Sequence, residues 1–106
     1  MDYTIIEVPD MNDSVSRVVL NGTAYLIRFT WNDTSAYWKF GLYDSQNQPI
    51  VIGIKLVANF PLNVFYGVTQ LPDGVFGVMT RQERIGRSDF ADGKAQFIFC
   101  PVEMEN

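Results

Sequence analysis

The sequence contains no histidine, a single cysteine and no long apolar run, and each absence excludes a class of protein. Without histidine, Ser-His and Cys-His nucleophile pairs cannot form, and most catalytic zinc sites lack their usual ligand. The lone Cys100 cannot make a disulfide within the chain. The apolar runs are far shorter than the roughly 20 residues of a transmembrane helix. We therefore expect no membrane span.

Charge and composition indicate an ordinary globular domain. The 106 residues predict one domain, residues 1–106, and 47% apolar with 19% charged residues is a typical balance. The net charge is −4, which disfavours binding to phosphate backbones. The N-terminus has no basic segment followed by an apolar run, so we expect no signal peptide and a cytoplasmic location.

The most informative stretch is a predicted β-hairpin at residues 23–44. In its first strand, large apolar residues fall two apart at Tyr25, Ile27, Phe29 and Trp31. The same period follows a short polar segment, at Trp38, Phe40 and Leu42. A period of two in such residues predicts half-buried strands, and the short connection predicts that they pair.

Further strands are predicted at residues 3–8, 15–20, 50–57, 75–82 and 94–100. Asn21-Gly22 predicts a tight hairpin, so the first four strands are expected to form a meander. Residues 58–66 contain Pro61, which predicts either a short helical turn near 61–66 or an edge strand. The expected fold is all-β, a small antiparallel barrel or sandwich of about seven or eight strands. The strand period does not separate the two architectures.

Two patterns suggest chemistry, and each has a simpler interpretation. Asp10, Asn12 and Ser14 alternate as in a calcium loop, but the glycine required at its sixth position is missing, so we predict a polar turn. Arginines recur every third residue at Arg81, Arg84 and Arg87, a spacing that suits phosphates or an acidic partner. The acidic residues among them favour local ion pairs instead.

The remaining candidates are aromatic residues and the cysteine. Trp31, Tyr37, Trp38 and Tyr43 are expected near the hairpin tip, where rings could stack on a sugar or enter a protein interface. For the two tryptophans burial in the core is favoured, whereas Tyr37 and Tyr43 share the opposite face with Lys39. Cys100 is predicted to be buried and inert because its strand is apolar.

Several motifs resemble one known family over nearly the whole chain. They are Ile6-Glu-Val-Pro9, Gly22-Thr-Ala-Tyr25, Trp31-Asn32 with Trp38, Leu42-Tyr-Asp44, Ile52-Gly-Ile-Lys-Leu-Val57 before Pro61-Leu62, Gly74-Val-Phe76, and Phe97-Ile-Phe99. The chain resembles the small baseplate-plug proteins of contractile-tailed phages and prophages. It departs from them at residues 87–93, where the family usually has Pro and then Leu-Gly.

This resemblance implies a non-enzymatic structural component of the tail baseplate, which plugs or braces the central hub through protein–protein contacts. It implies other tail proteins as partners, a homo-oligomer of three or six copies, and a path from the bacterial cytoplasm into the virion tail. No catalytic residue, metal or cofactor is expected. The predicted interface residues are Tyr37, Tyr43, Arg84, Arg87, Phe65 and Tyr66.

Two alternatives stay open at this point. A small ligand- or carbohydrate-binding β module would need exposed, roughly coplanar rings at Trp31 or Trp38. A regulatory or inhibitor protein encoded by a mobile element would instead form a stable complex with a host enzyme.

Overall fold

Seven antiparallel strands form two separate sheets in the computed structural model, which describes residues 3–58 and 74–101. The strands are β1 (Thr4–Ile6), β2 (Asp13–Leu20), β3 (Thr23–Asn32), β4 (Tyr37–Asp44), β5 (Pro49–Lys55), β6 (Gly74–Thr80) and β7 (Ala95–Pro101). The all-β prediction is confirmed. The helical turn expected near 61–66 lies outside the described residues.

The larger sheet is a meander of four strands in the order β2-β3-β4-β5. Asn21 and Gly22 both adopt positive φ, at 53° and 80°, as a two-residue hairpin turn requires. The predicted central hairpin is confirmed, with Phe29 opposite Phe40 and Trp31 opposite Trp38. The large apolar side chains at these alternate positions therefore lie on one face of this sheet.

The first strand belongs to the other sheet, so the prediction that the first four strands form one meander was wrong. The smaller sheet has the order β1-β7-β6, and Ile5 of β1 lies opposite Ile98 of β7. The four-stranded meander begins at β2 instead and takes β5 as its last strand. Residues 7–12, which include Pro9, separate β1 from β2 and allow the chain to cross between sheets.

The two sheets pack face to face through phenylalanine rings. Phe97 of β7 lies 5.4 Å from Phe29 and 5.1 Å from Phe40, measured between ring centroids. Phe40 also lies 5.3 Å from Phe76 of β6. Aromatic pairs at this spacing contribute about 0.5–1.5 kcal/mol each beyond the burial of their area. The described strands form a sandwich and no closed barrel.

The connection between β6 and β7 closes one end of the sandwich and is organised by Asp89. The Asp89 carboxylate accepts hydrogen bonds from the backbone N–H of Gly86 at 2.6 Å and from the Gln82 side chain at 2.5 Å. Its backbone carbonyl accepts from the N–H groups of Lys94 and Ala95. This network holds Phe90 against Trp38, with 6.1 Å between the ring centroids.

Candidate interaction surface on the four-stranded sheet

The four-stranded sheet has an outer face, opposite the core, that no other described strand covers. Every second residue of β2 points there, including Val15 and Val19, which are 58% and 57% exposed. In register, Val15 lies beside Arg28 of β3, which lies beside Gly41 of β4. Ile52 of β5 continues this row and is 63% exposed. We call this surface the outer face.

A shallow depression of about 530 Å³ lies near the middle of the outer face, with Gly41 among its lining residues. A Cβ on Gly41 would lie 3.3 Å from the Val51 carbonyl oxygen, so a larger residue would push against the β5 backbone. Beside it, Ile52 and Gly53 face the single Gly41, forming a β-bulge with Gly53 at φ 70°. The absence of a side chain at Gly41 and the bulge opposite it together form the depression.

Asp13 and Arg28 form a two-bond ion pair at the β2–β3 boundary of the outer face. The guanidinium donates to both carboxylate oxygens, at 2.8 and 2.6 Å. These hydrogen bonds, more than the charge attraction, lower the pKa of Asp13 from its ordinary value of 3.8. The same bonds raise the pKa of Arg28, with a smaller contribution from Tyr43. The carboxylate of Asp13 is therefore already occupied by Arg28.

Tyr37 and Arg84, two of the predicted interface residues, line the same small hollow. Its volume is about 150 Å³, and Lys55 and Glu83 line it too. Tyr37 is half-buried at the start of β4, and the Lys55 ammonium lies 4.9 Å from the centre of its ring. The hollow joins the β6–β7 connection to the edge of the outer face.

Tyr43 lies on the outer face but not near the hairpin tip, so the expected aromatic cluster is only partly correct. It stands at the far end of β4, about 20 Å from Tyr37 at the usual rise of a strand. It is half-buried, opposite Leu26. Tyr37 and Tyr43 therefore lie on the same face of the sheet but do not form one cluster.

The two tryptophans do not form a flat binding platform. Trp38 is 1% exposed, and its ring meets that of Trp31 edge-on at an interplanar angle of 61°. Trp31 is half-buried against the core and donates its indole N–H to Asp33 at 3.2 Å. The coplanar exposed rings that a sugar-binding site requires are not present at these positions.

Arg87 points away from the outer face and holds two loops together. Its guanidinium donates to Asn12 at 2.6 Å and to Asp10 at 2.8 Å, and it lies 5.3 Å from the centre of the Trp38 ring. The carboxylate that pairs with Arg87 is thus distant in sequence, not one of the neighbouring acidic residues. Of the polar turn expected around Asp10, Asn12 and Ser14, residues 10–12 form a bend, whereas Ser14 is buried in β2.

Comparison with protein families gives one match that covers nearly all of the chain. A family model described as Cyanophage baseplate Pam3 plug gp18 matches residues 1–101. The chain belongs to this baseplate plug family. The resemblance inferred from the sequence motifs is therefore confirmed. A search of curated proteins finds no significant match.

For this baseplate plug chain, the described residues place four of the six predicted interface positions. Phe65 and Tyr66 lie outside residues 3–58 and 74–101. Cys100 is half-buried rather than fully buried, in β7. The sequence interpretation missed the exposed Val15, Val19 and Ile52, although the alternation along β2 carried a signal for the first two.

Within residues 3–58 and 74–101 of the plug chain, no three acidic or cysteine side chains come close enough to hold a metal ion. The same residues contain no helix of the length and apolar character that crossing a membrane would take.

Proposed function

We propose that this chain is a non-enzymatic structural component of a phage or prophage tail baseplate. It plugs or braces the central hub through protein–protein contacts. The observation that carries the proposal is the family match over residues 1–101. The chain would assemble in the host cytoplasm and remain in the virion tail.

The surface of the sandwich supports a role in contacts with other proteins. Val15, Val19 and Ile52 expose more than half of their surface on the outer face. On the smaller sheet, Ile5 and Met79 are 54% and 42% exposed. Apolar side chains grouped on sheet faces commonly mark interaction sites, because burying them against a neighbour removes them from water.

Several copies in a closed ring are consistent with this role. Closed assemblies repeat the same contact around a symmetry axis, and a tail offers three- or six-fold axes. Three or six copies of this chain are therefore the numbers that we propose.

The test replaces Tyr37 and Tyr43 by alanine and measures the amount of this chain in purified tails by quantitative mass spectrometry. Wild-type chain should occur at a fixed low copy number after salt washes, and the double variant should be depleted severalfold. The Tyr37→Phe/Tyr43→Phe variant keeps both rings and serves as the matched control. Thermal unfolding should show that every variant folds alone.

Two results would contradict the proposal at different levels. Wild-type chain that is absent from intact tails but abundant in the lysate would exclude the structural role. A double alanine variant incorporated as well as wild type would leave the structural role standing and remove the two tyrosines from the interface.

A further inference from the structure

The outer face concentrates positive charge in a chain that is acidic overall. The chain has eight lysines and arginines, twelve acidic residues and a net charge of −4. Four of the eight cations lie at outer-face positions of the meander, namely Arg17, Arg28, Lys39 and Lys55. Asp13 is the acidic residue among the outer-face positions of these four strands. The outer face is therefore positively charged, whereas the rest of the chain is negatively charged.

Two of these cations lie directly opposite each other. Lys39 of β4 pairs in register with Lys55 of β5. Like charges at directly opposed positions on neighbouring strands destabilise the sheet. In residues 3–58 and 74–101 neither ammonium has a carboxylate within ion-pair distance. Asp13 lies in the same row but is bound by both bonds to Arg28.

The apolar neighbours of this lysine pair favour a protein over a nucleic acid as the partner. The depression lined by Gly41, Tyr43 and Ile52 lies next to Lys39. Exposed Val15 of β2 adds apolar surface at the far end of the neighbouring row, which contains Gly41. Nucleic-acid sites use dense cations to neutralise successive phosphates, whereas protein interfaces combine an apolar centre with charges around it.

We propose that the outer face docks an acidic surface of a neighbouring tail protein. A carboxylate of that protein lies between the ammonium groups of Lys39 and Lys55, and its apolar side chains cover the depression at Gly41. The inference rests on the proposed structural role and adds the docking face and the chemistry of its partner. Complementary charge of this kind orients a partner and disfavours wrong contacts.

The first experiment is carbodiimide cross-linking of purified tails, followed by mass spectrometry. Carbodiimide joins a lysine amine to a carboxylate only where the two are in direct contact. The expected products link Lys39 or Lys55 to an aspartate or glutamate of a different tail protein. Links to acidic residues of a second copy of this chain would overturn the choice of partner and point to self-association instead.

The second experiment adds purified chain to tails that were assembled without it and measures binding by co-sedimentation. The Lys39→Gln/Lys55→Gln variant should bind about tenfold more weakly than wild type. This difference in affinity should decrease as the salt concentration rises, because salt screens the charged contact that wild type makes. Lys94→Gln/Arg81→Gln removes two exposed charges outside the outer face and should bind like wild type. The lysine variant should unfold at about the same temperature as wild type, because relief of the opposed charges offsets the lost contact of Lys55 with the Tyr37 ring.

The outcomes separate the inference from the proposed function. Equal binding of wild type and both double variants would overturn the docking face and leave the structural role intact. Loss of wild-type binding after nuclease treatment would overturn the protein partner in favour of nucleic acid. Failure of wild type to bind the deficient tails would overturn the structural role, and the inference with it.

Discussion

Phe97 of the smaller sheet packs directly against two rings of the larger sheet. Its ring is fully buried and contacts Phe29 and Phe40 of the larger sheet, and it stacks on Phe76 of its own sheet at 5.7 Å. Because rings from four strands meet here, a smaller side chain would leave a cavity that the surrounding sheets cannot easily close.

Replacing Phe97 by alanine should therefore lower the free energy of unfolding by about 3–5 kcal/mol. Phe97→Leu should lower it by less than about 1.5 kcal/mol, since most of the volume is kept. Urea unfolding followed by circular dichroism measures both. Val19→Ala, at an exposed position, is the control and should cost less than about 0.5 kcal/mol. An alanine effect as small as that of the control would contradict the central position of Phe97.

Asp13 links the stability of the chain to pH. The folded-state pKa of Asp13 lies below its ordinary value of 3.8, chiefly because Arg28 donates two hydrogen bonds to the charged form. The unfolded chain thus binds this proton more readily than the folded one. The stabilisation is complete above pH 3.8 and is lost as the pH falls through the folded-state pKa.

A comparison of wild type with the Asp13→Asn variant tests this pH dependence. Wild type should unfold at a slightly higher temperature at neutral pH, and the difference should vanish on acidification below pH 3.8. The effect is small because both side chains are about half exposed. Arg28→Gln should remove the same pH-dependent difference. A difference that grows with falling pH would contradict the assigned ion pair.

At the scale of elements, Arg87 holds the β6–β7 connection against the β1–β2 connection. This side chain combines a partly exposed ion pair with Asp10 and a contact over the Trp38 ring. A surface ion pair contributes about 0.2–1 kcal/mol, and a cation over an aromatic ring contributes about 0.5–1 kcal/mol. This one side chain thus links two loops that are 75 or more residues apart in sequence.

Arg87→Ala should therefore destabilise the chain by about 1–2 kcal/mol and shift tryptophan emission to the red, because the Trp38 ring loses its cover. Thermal unfolding and fluorescence measure the two effects. Arg84→Ala, in the same connection but exposed, should change neither. Unchanged emission in the Arg87 variant would show that Trp38 is covered without it.

The sequence predicted local elements well and the pairing of distant ones poorly. Alternation in β3 and β4, together with Asn21-Gly22, was sufficient for the hairpins, because neighbouring strands that are joined by short turns pair by default. The place of β1 was missed, since three residues that pair with the last strand carry no local signal of that partner. The Arg87 contact was missed for the same reason.

At the scale of the whole molecule, the two sheets differ in what they present. The larger sheet presents a basic face with apolar residues between its charges. The outer side of the smaller sheet presents apolar residues such as Ile5 and Met79. A sandwich and a barrel share one strand period, so the sequence alone did not distinguish them, and the separation into two sheets is what the structure adds. The outer face became recognisable only once strand register had placed its cations together.

The central claim is that this chain is a structural part of the tail baseplate, and cryo-electron microscopy of the tail end tests it most directly. Maps of wild-type tails and of tails made without this chain should differ by a β-sandwich at the central hub, with the outer face of the four-stranded sheet against a neighbouring protein. Identical maps, with no density that the sandwich fits, would contradict the account.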